Sequence, residues 1–278
     1  MHKMNAIREE ELLENGGPFL PVCLCLDTSG SMGRQEGGTD PNSGKALTRL
    51  GPTRLELLQK GVEAFYDAVY SDEMTRYTVE VAIVTFSDGV RKVKDFSRLE
   101  RMRRNRDKRL EGCGMLDCPE LRVGGQQTRM GDGVNLALDL LEQCKRDYVK
   151  RGVDYFQPWL VLISDGGDTG SPHAFERARG RIAELVSEKR LAVYPMAIGS
   201  QARIDVLNKL SPVQQALSLE SISMPGVFRW LAKSAEQVSG GLYGFGESPR
   251  MEIFEMVPWL EDYCETGSNA FMRNDIRR

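Results

Sequence analysis

Histidine is nearly absent: the 278 residues include two, His2 near the beginning of the chain and His173 far from it. Hydrolytic chemistry that pairs a histidine base with a serine or cysteine nucleophile therefore has little to build on, and so does a zinc site rich in imidazole. Cysteine is scarce as well. Six in a chain this long are too few for a disulfide framework. Cys23 and Cys25 sit in an apolar run and read as small core residues, whereas Cys113 and Cys118, in "CGMLDC", read as reduced loop thiols because no histidine lies nearby. No stretch of about 18 apolar residues is available to span a bilayer. Charges interrupt the opening "MHKMNAIREEELLENGG" where a secretory signal needs its apolar core, so the expected location is the cytoplasm. With 37 basic and 40 acidic side chains the net charge is only −3, so no global field favours nucleic acid or an anionic membrane.

What the sequence does contain is an alternation of short apolar runs with helical patterns. "VCLCLD" (22–27), "VEVAIVTFS" (79–87), "WLVLISD" (159–165) and "LAVYPMAIG" (191–199) have the length and continuous hydrophobicity of parallel strands buried on both faces. Between them, Leu55, Leu58, Val62, Phe65 and Val69 recur at helical spacing behind a candidate capping box, Thr53 with Glu56. Val134, Leu138, Leu141 and Cys144 mark a second helix. Ser171 and Pro172 open a third, and 226–238 forms a last one after a short strand at "QALSLES". Repeated strand–helix units predict a doubly wound, mostly parallel α/β sheet with helices on both faces.

Ligand sites in such sheets lie beyond the carboxyl ends of the strands, where the strand order reverses. Two of the predicted strands end in an aspartate followed by a turn of small polar residues: Asp27 in "DTSGSMG" and Asp165 in "DGGDTGS". Thr128 closes the glycine-containing loop of "VGGQQTRMGDG" just ahead of a helix. Asp27, Ser29, Ser31, Thr128 and Asp165 form a set of hard oxygen donors, poor for zinc and suited to Mg²⁺ or Mn²⁺. Ser29 and Ser31, two apart in an extended turn, can bind directly. The carboxylates can then act through water, since Mg²⁺ dehydrates reluctantly.

The elements "DTSGS" at 27–31, Thr128 and "SDG" at 164–166, in that order on that pattern, resemble the metal-ion-dependent adhesion site of von Willebrand factor type A domains. The resemblance covers roughly 18–240 and implies that Ser29, Ser31 and Thr128 coordinate the cation, with Asp27 and Asp165 in or just outside the first coordination sphere. It also implies an open coordination position that an Asp or Glu of a partner protein fills. The implied division of the chain is a tail (1–17), the domain (18–240) and a carboxy-terminal extension (241–278). "PWLVLISDGGDTG" (158–170), "YPMAIGSQARIDVLNKLSP" (194–212) and "FRWLAKSAEQVS" (228–239) are similar to the bacterial tellurium-resistance TerY-like group. That similarity implies an adaptor without chemistry of its own, serving a stress-response or phage-defence system with kinase or phosphatase partners.

Two insertions depart from the family pattern, at 34–52 and 98–120. The first is rich in glycine and proline and is read as a surface loop or recognition segment. Its "GTDPNSGKA" resembles a phosphate loop but has one residue too many and Ala46 where a hydroxyl is needed. Within the second, Arg98–Arg109 carries seven basic residues against Glu100 and Asp107, which makes Arg101, Arg103, Arg104 and Arg106 candidates for docking an acidic partner. Nucleic acid is the weaker option because no aromatic side chain is interleaved to stack on bases. The rival to an interaction module is a metal-dependent phosphohydrolase, with Asp168 as base for a metal-bound water. Beyond 241, Ile253, Phe254, Val257, Trp259 and Leu260 either pack back on the domain or hook a partner.

Overall fold

Strand β1 (Leu20–Asp27) is buried along its whole length, a condition met only by a strand covered on both faces. The computed structural model describes residues 18–35, 51–99, 118–199, 201–211, 214–219, 224–242 and 247–249. Within it, β1 lies at the centre of one sheet. It pairs in parallel with β2 (Val79–Phe86) on one side and β4 (Trp159–Ser164) on the other. β5 (Ala192–Ala197) and the two-residue β6 (Leu217–Ser218) extend the parallel series beyond β4. β3 (Val90–Ser97) closes the other edge antiparallel to β2, so the order is β3-β2-β1-β4-β5-β6. The chain moves outward from β1 through β2 and β3, then returns to the far side of β1 as β4. The strand order thus reverses between β1 and β4.

Alternation along β1 divides the core. Leu20, Val22, Leu24 and Leu26 face α1 (Arg54–Ser71) and α6 (Met224–Ser239), together with Leu58, Val62, Phe65, Val227, Phe228 and Leu231. Cys23 and Cys25 face the other layer, α3 (Met130–Arg151) and α4 (Pro172–Ser187), with Val134, Leu138, Leu141 and Ile182. Each fully buried Leu, Val or Phe contributes about 1.5–3 kcal/mol of hydrophobic stabilisation, so these two layers dominate the stability of the sheet. The two thiols are core residues, as their apolar setting predicts.

The capping box at the start of α1 forms in both directions: Glu56 N–H donates to Thr53 Oγ1 and Thr53 N–H to the Glu56 carboxylate. Ser171 precedes Pro172 at the start of α4 but makes no side-chain cap bond. Three elements were not expected from the sequence: the one-turn helix α2 (Glu73–Thr78), the short helix α5 (Ile204–Leu210) and β3. β3 eludes an apolar-run criterion because it is an edge strand, exposed at Arg91, Lys92, Val93 and Asp95. Charge along such an edge blocks pairing with a further strand. Trp230 is packed in the core beside Tyr194, which stacks edge-on against Trp159 in turn. The start of the carboxy-terminal extension is tied to the same group. Trp159 Nε1–H donates to Ser248 Oγ at 3.0 Å, and Tyr194 O–H to the Pro249 carbonyl at 2.9 Å.

Helices α1 and α6 approach so closely at Gly61 that a Cβ there would lie 2.4 Å from Phe228 Cδ2 and 2.9 Å from Met224 Cγ. Gly61→Ala is accordingly expected to cost about 1–3 kcal/mol through overpacking, read as a lower urea midpoint at unchanged slope. A midpoint equal to or above that of the wild type would show that α6 shifts freely.

Candidate functional site

The carboxyl ends of β1 and β4 meet where the strand order reverses, and Asp27 lies there with no solvent exposure. Its Oδ1 accepts from the Ser29 backbone N–H at 2.8 Å and its Oδ2 from the Ser164 hydroxyl at 2.6 Å. Ser164 Oγ also accepts from the Gly166 N–H at 3.0 Å, so the β4 turn is fastened to the β1 turn through one hydroxyl. A short 3₁₀ turn, Gly30–Gly33, follows, and Ser29 Oγ and Ser31 Oγ stand 3.0 Å apart. The two hydroxyls converge, but through the 3₁₀ turn that contains Ser31 rather than through the extended turn expected from the sequence.

The loop carrying Thr128 lies along the same turn. Gly30 N–H donates to the Gly125 carbonyl at 2.7 Å and Gly124 N–H to the Thr28 carbonyl at 2.6 Å. Its glycines have a packing reason: a Cβ on Gly125 would coincide with the Asp88 carboxylate, 1.6 Å from Oδ2. Asp88 in turn accepts from the Gln127 N–H at 2.5 Å. On the other side, Thr128 N–H donates to Thr169 Oγ1 at 2.8 Å and Thr169 N–H returns a bond to the Thr128 carbonyl at 2.9 Å. Thr128, 5% exposed, is therefore fixed between the β1 and β4 turns.

Asp165 takes a different partner from any the sequence suggested. Arg54, in the first turn of α1, places Nη1 3.3 Å from Asp165 Oδ2, with the two side chains 9% and 12% exposed. A cation at a helix amino terminus opposes the macrodipole, and that misplaced charge was the available clue to a specific partner. Asp165 Oδ1 also accepts from Gly167 N–H at 3.2 Å. Asp168 sits nearby as a remote cap for α3: its Oδ1 accepts from Met130 N–H at 3.1 Å and Gly170 N–H at 3.2 Å. Burial raises its pKa above the ordinary carboxylate value, but those backbone bonds already give it a structural task. His173 is exposed in the first turn of α4. Arg101, Arg103, Arg104 and Arg106 lie outside the described residues, as does most of each insertion.

The donor set fits a small hard cation. Among the described residues no group of three or more His, Cys, Asp or Glu side chains could hold a metal by itself, so hydroxyls must supply much of any coordination here. Mg²⁺ and Mn²⁺ accept such oxygen donors, whereas zinc favours nitrogen and sulfur. Asp27 adds an electrostatic reason. Burial pushes its pKa from 3.8 up to about 6 against the lowering effect of the Ser164 and Ser29 bonds, with the Asp165 charge adding a little. At neutral pH the site holds a buried anion, which a cation stabilises.

Residues 22–167, more than half of the chain, match the family model for the von Willebrand factor type A domain. The chain belongs to the von Willebrand factor type A (VWA) family. Domains of this family often mediate metal-dependent protein–protein interaction. By sequence, no curated protein matches the chain. Among solved structures, a von Willebrand factor type A protein from Catenulispora acidiphila is similar at 16% identity and a TM-score of 0.51, over 79% of this chain and 43% of that one. The pilus adhesin SpaC from Lactobacillus rhamnosus GG is similar at 13% identity and a TM-score of 0.52, over 84% of this chain and 31% of that one. At these identities the likeness concerns the fold alone, and this chain spans less than half of either protein. A VWA domain accounts for the reversal of strand order at β1/β4 and for the two turns joined there. Among the described residues no helix is long and apolar enough to cross a membrane.

The raised pKa of Asp27 has a definite sign. The folded state takes up a proton below about pH 6 that the unfolded chain binds only near 3.8. This group's contribution to stability therefore falls as pH rises through that window, reaching a cost of about 3 kcal/mol at neutral pH. Comparison of wild type with Asp27→Asn in EDTA isolates the effect: the variant is expected to be the more stable at pH 7.5, with the difference shrinking toward pH 5. A difference that does not change with pH would rule out the buried anion.

Proposed function

We propose that this VWA domain is a metal-dependent protein-interaction module in which Ser29, Ser31 and Thr128 hold Mg²⁺ or Mn²⁺. Asp27 and Asp165 stand in or just outside the first coordination sphere. The observation that carries this reading is the buried Asp27 carboxylate beside the paired hydroxyls of Ser29 and Ser31, 3.0 Å apart. A bound cation supplies an open coordination position suited to an Asp or Glu carboxylate of a partner. The chain's own residues do the rest: Ser164 and the Ser29 N–H orient Asp27, and Thr169 holds the Thr128 backbone. Arg54 holds Asp165 and balances its charge.

We assign no chemistry of its own to the domain, which extends over 18–240 with flanks at 1–17 and 241–278. A hydrolytic alternative would recruit Asp168, but that side chain's bonds to Met130 and Gly170 favour a structural role. We place the protein in the cytoplasm, where buried thiols such as Cys23 and Cys25 stay reduced. The similarity of 158–170, 194–212 and 228–239 to the TerY-like group supports an adaptor of a bacterial stress-response or phage-defence system with a kinase or phosphatase partner. The basic segment 98–109 is the place where an acidic partner could make further contacts.

The expected result is a rise in melting temperature with Mg²⁺ or Mn²⁺ that disappears in Ser29→Ala and Asp27→Ala, with no turnover of generic phosphoesters. Capture of an endogenous partner should follow the same pattern, present with Mg²⁺ and lost in EDTA or Asp27→Ala. Metal-dependent phosphoester hydrolysis that these variants abolish would replace the adaptor reading with an enzymatic one.

A further inference from the structure

The amino-terminal edge of the sheet, opposite the Asp27 site, carries a cleft between the last turns of α3, the loop entering β4 and the loop between α4 and β5. It has two adjoining parts of about 240 and 490 Å³, both lined by Lys145, Tyr155 and Arg190. Lys189 borders the smaller part, and Arg146 and Lys150 border the larger. Helices α3 and α4 both end at this edge, and their partial negative charges account for some of the basic residues in and after the last turns. They do not account for Lys145. This lysine lies a turn and a half before the end of α3, is 9% exposed, and makes no hydrogen bond or ion pair among the described residues. Its aliphatic stem is packed against the fold while its ammonium faces the cleft, where no carboxylate among the described residues meets it.

The surrounding charges are unevenly compensated. Glu188 pairs with Arg190 at 2.7 Å, Glu142 with Arg181 at 3.3 Å and Asp147 with Lys150 at 3.6 Å. Lys145, Arg146 and Lys189 have no carboxylate within ion-pair distance among the described residues. Burial first, and the Arg190 charge second, pull the pKa of Lys145 below its usual value, with Glu142 and Glu188 offsetting only part of this. Lys189 is also conformationally expensive. It has φ +56° in a Schellman turn, where Arg190 N–H donates to the Leu185 carbonyl at 2.8 Å and Lys189 N–H to Val186 at 3.0 Å. That position favours glycine, yet a lysine occupies it beside the cleft.

We propose that this cleft is an anion site for a phosphate group, with Lys145 at its base and Arg146 and Lys189 at its rim. Three uncompensated cations match the near-double charge of a phosphomonoester better than the single charge of a carboxylate. Two sources share that chemistry: a free phosphate or polyphosphate, and a phosphorylated side chain of a partner protein.

The full chain is titrated in EDTA, which removes any metal-borne phosphate binding at the other edge, with inorganic phosphate, pyrophosphate and a Gly-phosphoserine-Gly peptide. Calorimetry should give saturable binding, weakened about tenfold or more by Lys145→Met, which removes a charge-assisted contact while retaining much of the side-chain volume. Lys189→Gly relieves the left-handed strain, so its melting temperature should equal or exceed that of the wild type while binding weakens about threefold. Because that variant does not threaten folding, it decides the matter even if Lys145→Met is unstable. Tighter binding of the peptide identifies a phosphorylated protein as the ligand, and tighter binding of pyrophosphate a free species. The site is refuted if none of the three probes binds saturably, or if binding is unchanged in both variants.

Discussion

A carboxylate buried at the end of the central strand is the constraint to which the site's other features answer. Asp27 has no exposure, and the hydrogen bonds from Ser29 and Ser164 do not restore its ordinary acidity. Removing a charge from water costs more than two neutral donors return. The arrangement is therefore a poor one for stability and a good one for holding a cation. Two facing layers of apolar side chains make that cost tolerable, because β1 is anchored along its length by α1 and α6 on one face and α3 and α4 on the other.

The same bonds that orient Asp27 also tie three separate loops into one surface. Ser164 links the β4 turn to β1, the Gly30–Gly125 bond links the β1 turn to the threonine loop, and the paired Thr128–Thr169 bonds link that loop back to β4. Arg54 brings in a fourth element, α1, through Asp165. Since α1 packs against α6, and Gly61 sets how closely, a change at Asp165 has a packed route toward the last helix. The sheet itself separates this surface from the basic cleft at the other edge. The two edges differ in character: a buried carboxylate and converging hydroxyls lie beyond the carboxyl ends of the strands, and before their amino ends stand Lys145, Arg146 and Lys189, with no carboxylate in ion-pair range among the described residues.

Much of this was legible in the chain. Continuous apolar runs gave the four principal parallel strands because strands buried on both faces have no polar side to disguise them. The capping box at Thr53 and Glu56 marked the start of α1 correctly, since both bonds are local. β3 and the small helices α2 and α5 were not legible. An edge strand with Arg91, Lys92 and Asp95 exposed takes its structure from β2 beside it rather than from its own pattern. Asp88, Thr169 and Arg54 escaped for a related reason: each acts on a residue tens of positions away in the chain, through contacts that no local spacing encodes.

The sequence by itself determined the fold class, the family motifs and the oxygen-rich chemistry of Asp27, Ser29, Ser31, Thr128 and Asp165. These follow from residue type and short-range order, which survive without knowledge of the third dimension. Only the tertiary structure decided which groups are paired and which are left bare. It gave Asp165 an arginine and assigned Asp168 to capping α3, and among the described residues it paired neither Asp27 nor Lys145 with an opposite charge. Charge compensation depends on distance and burial, and both are properties of the folded chain rather than of its order.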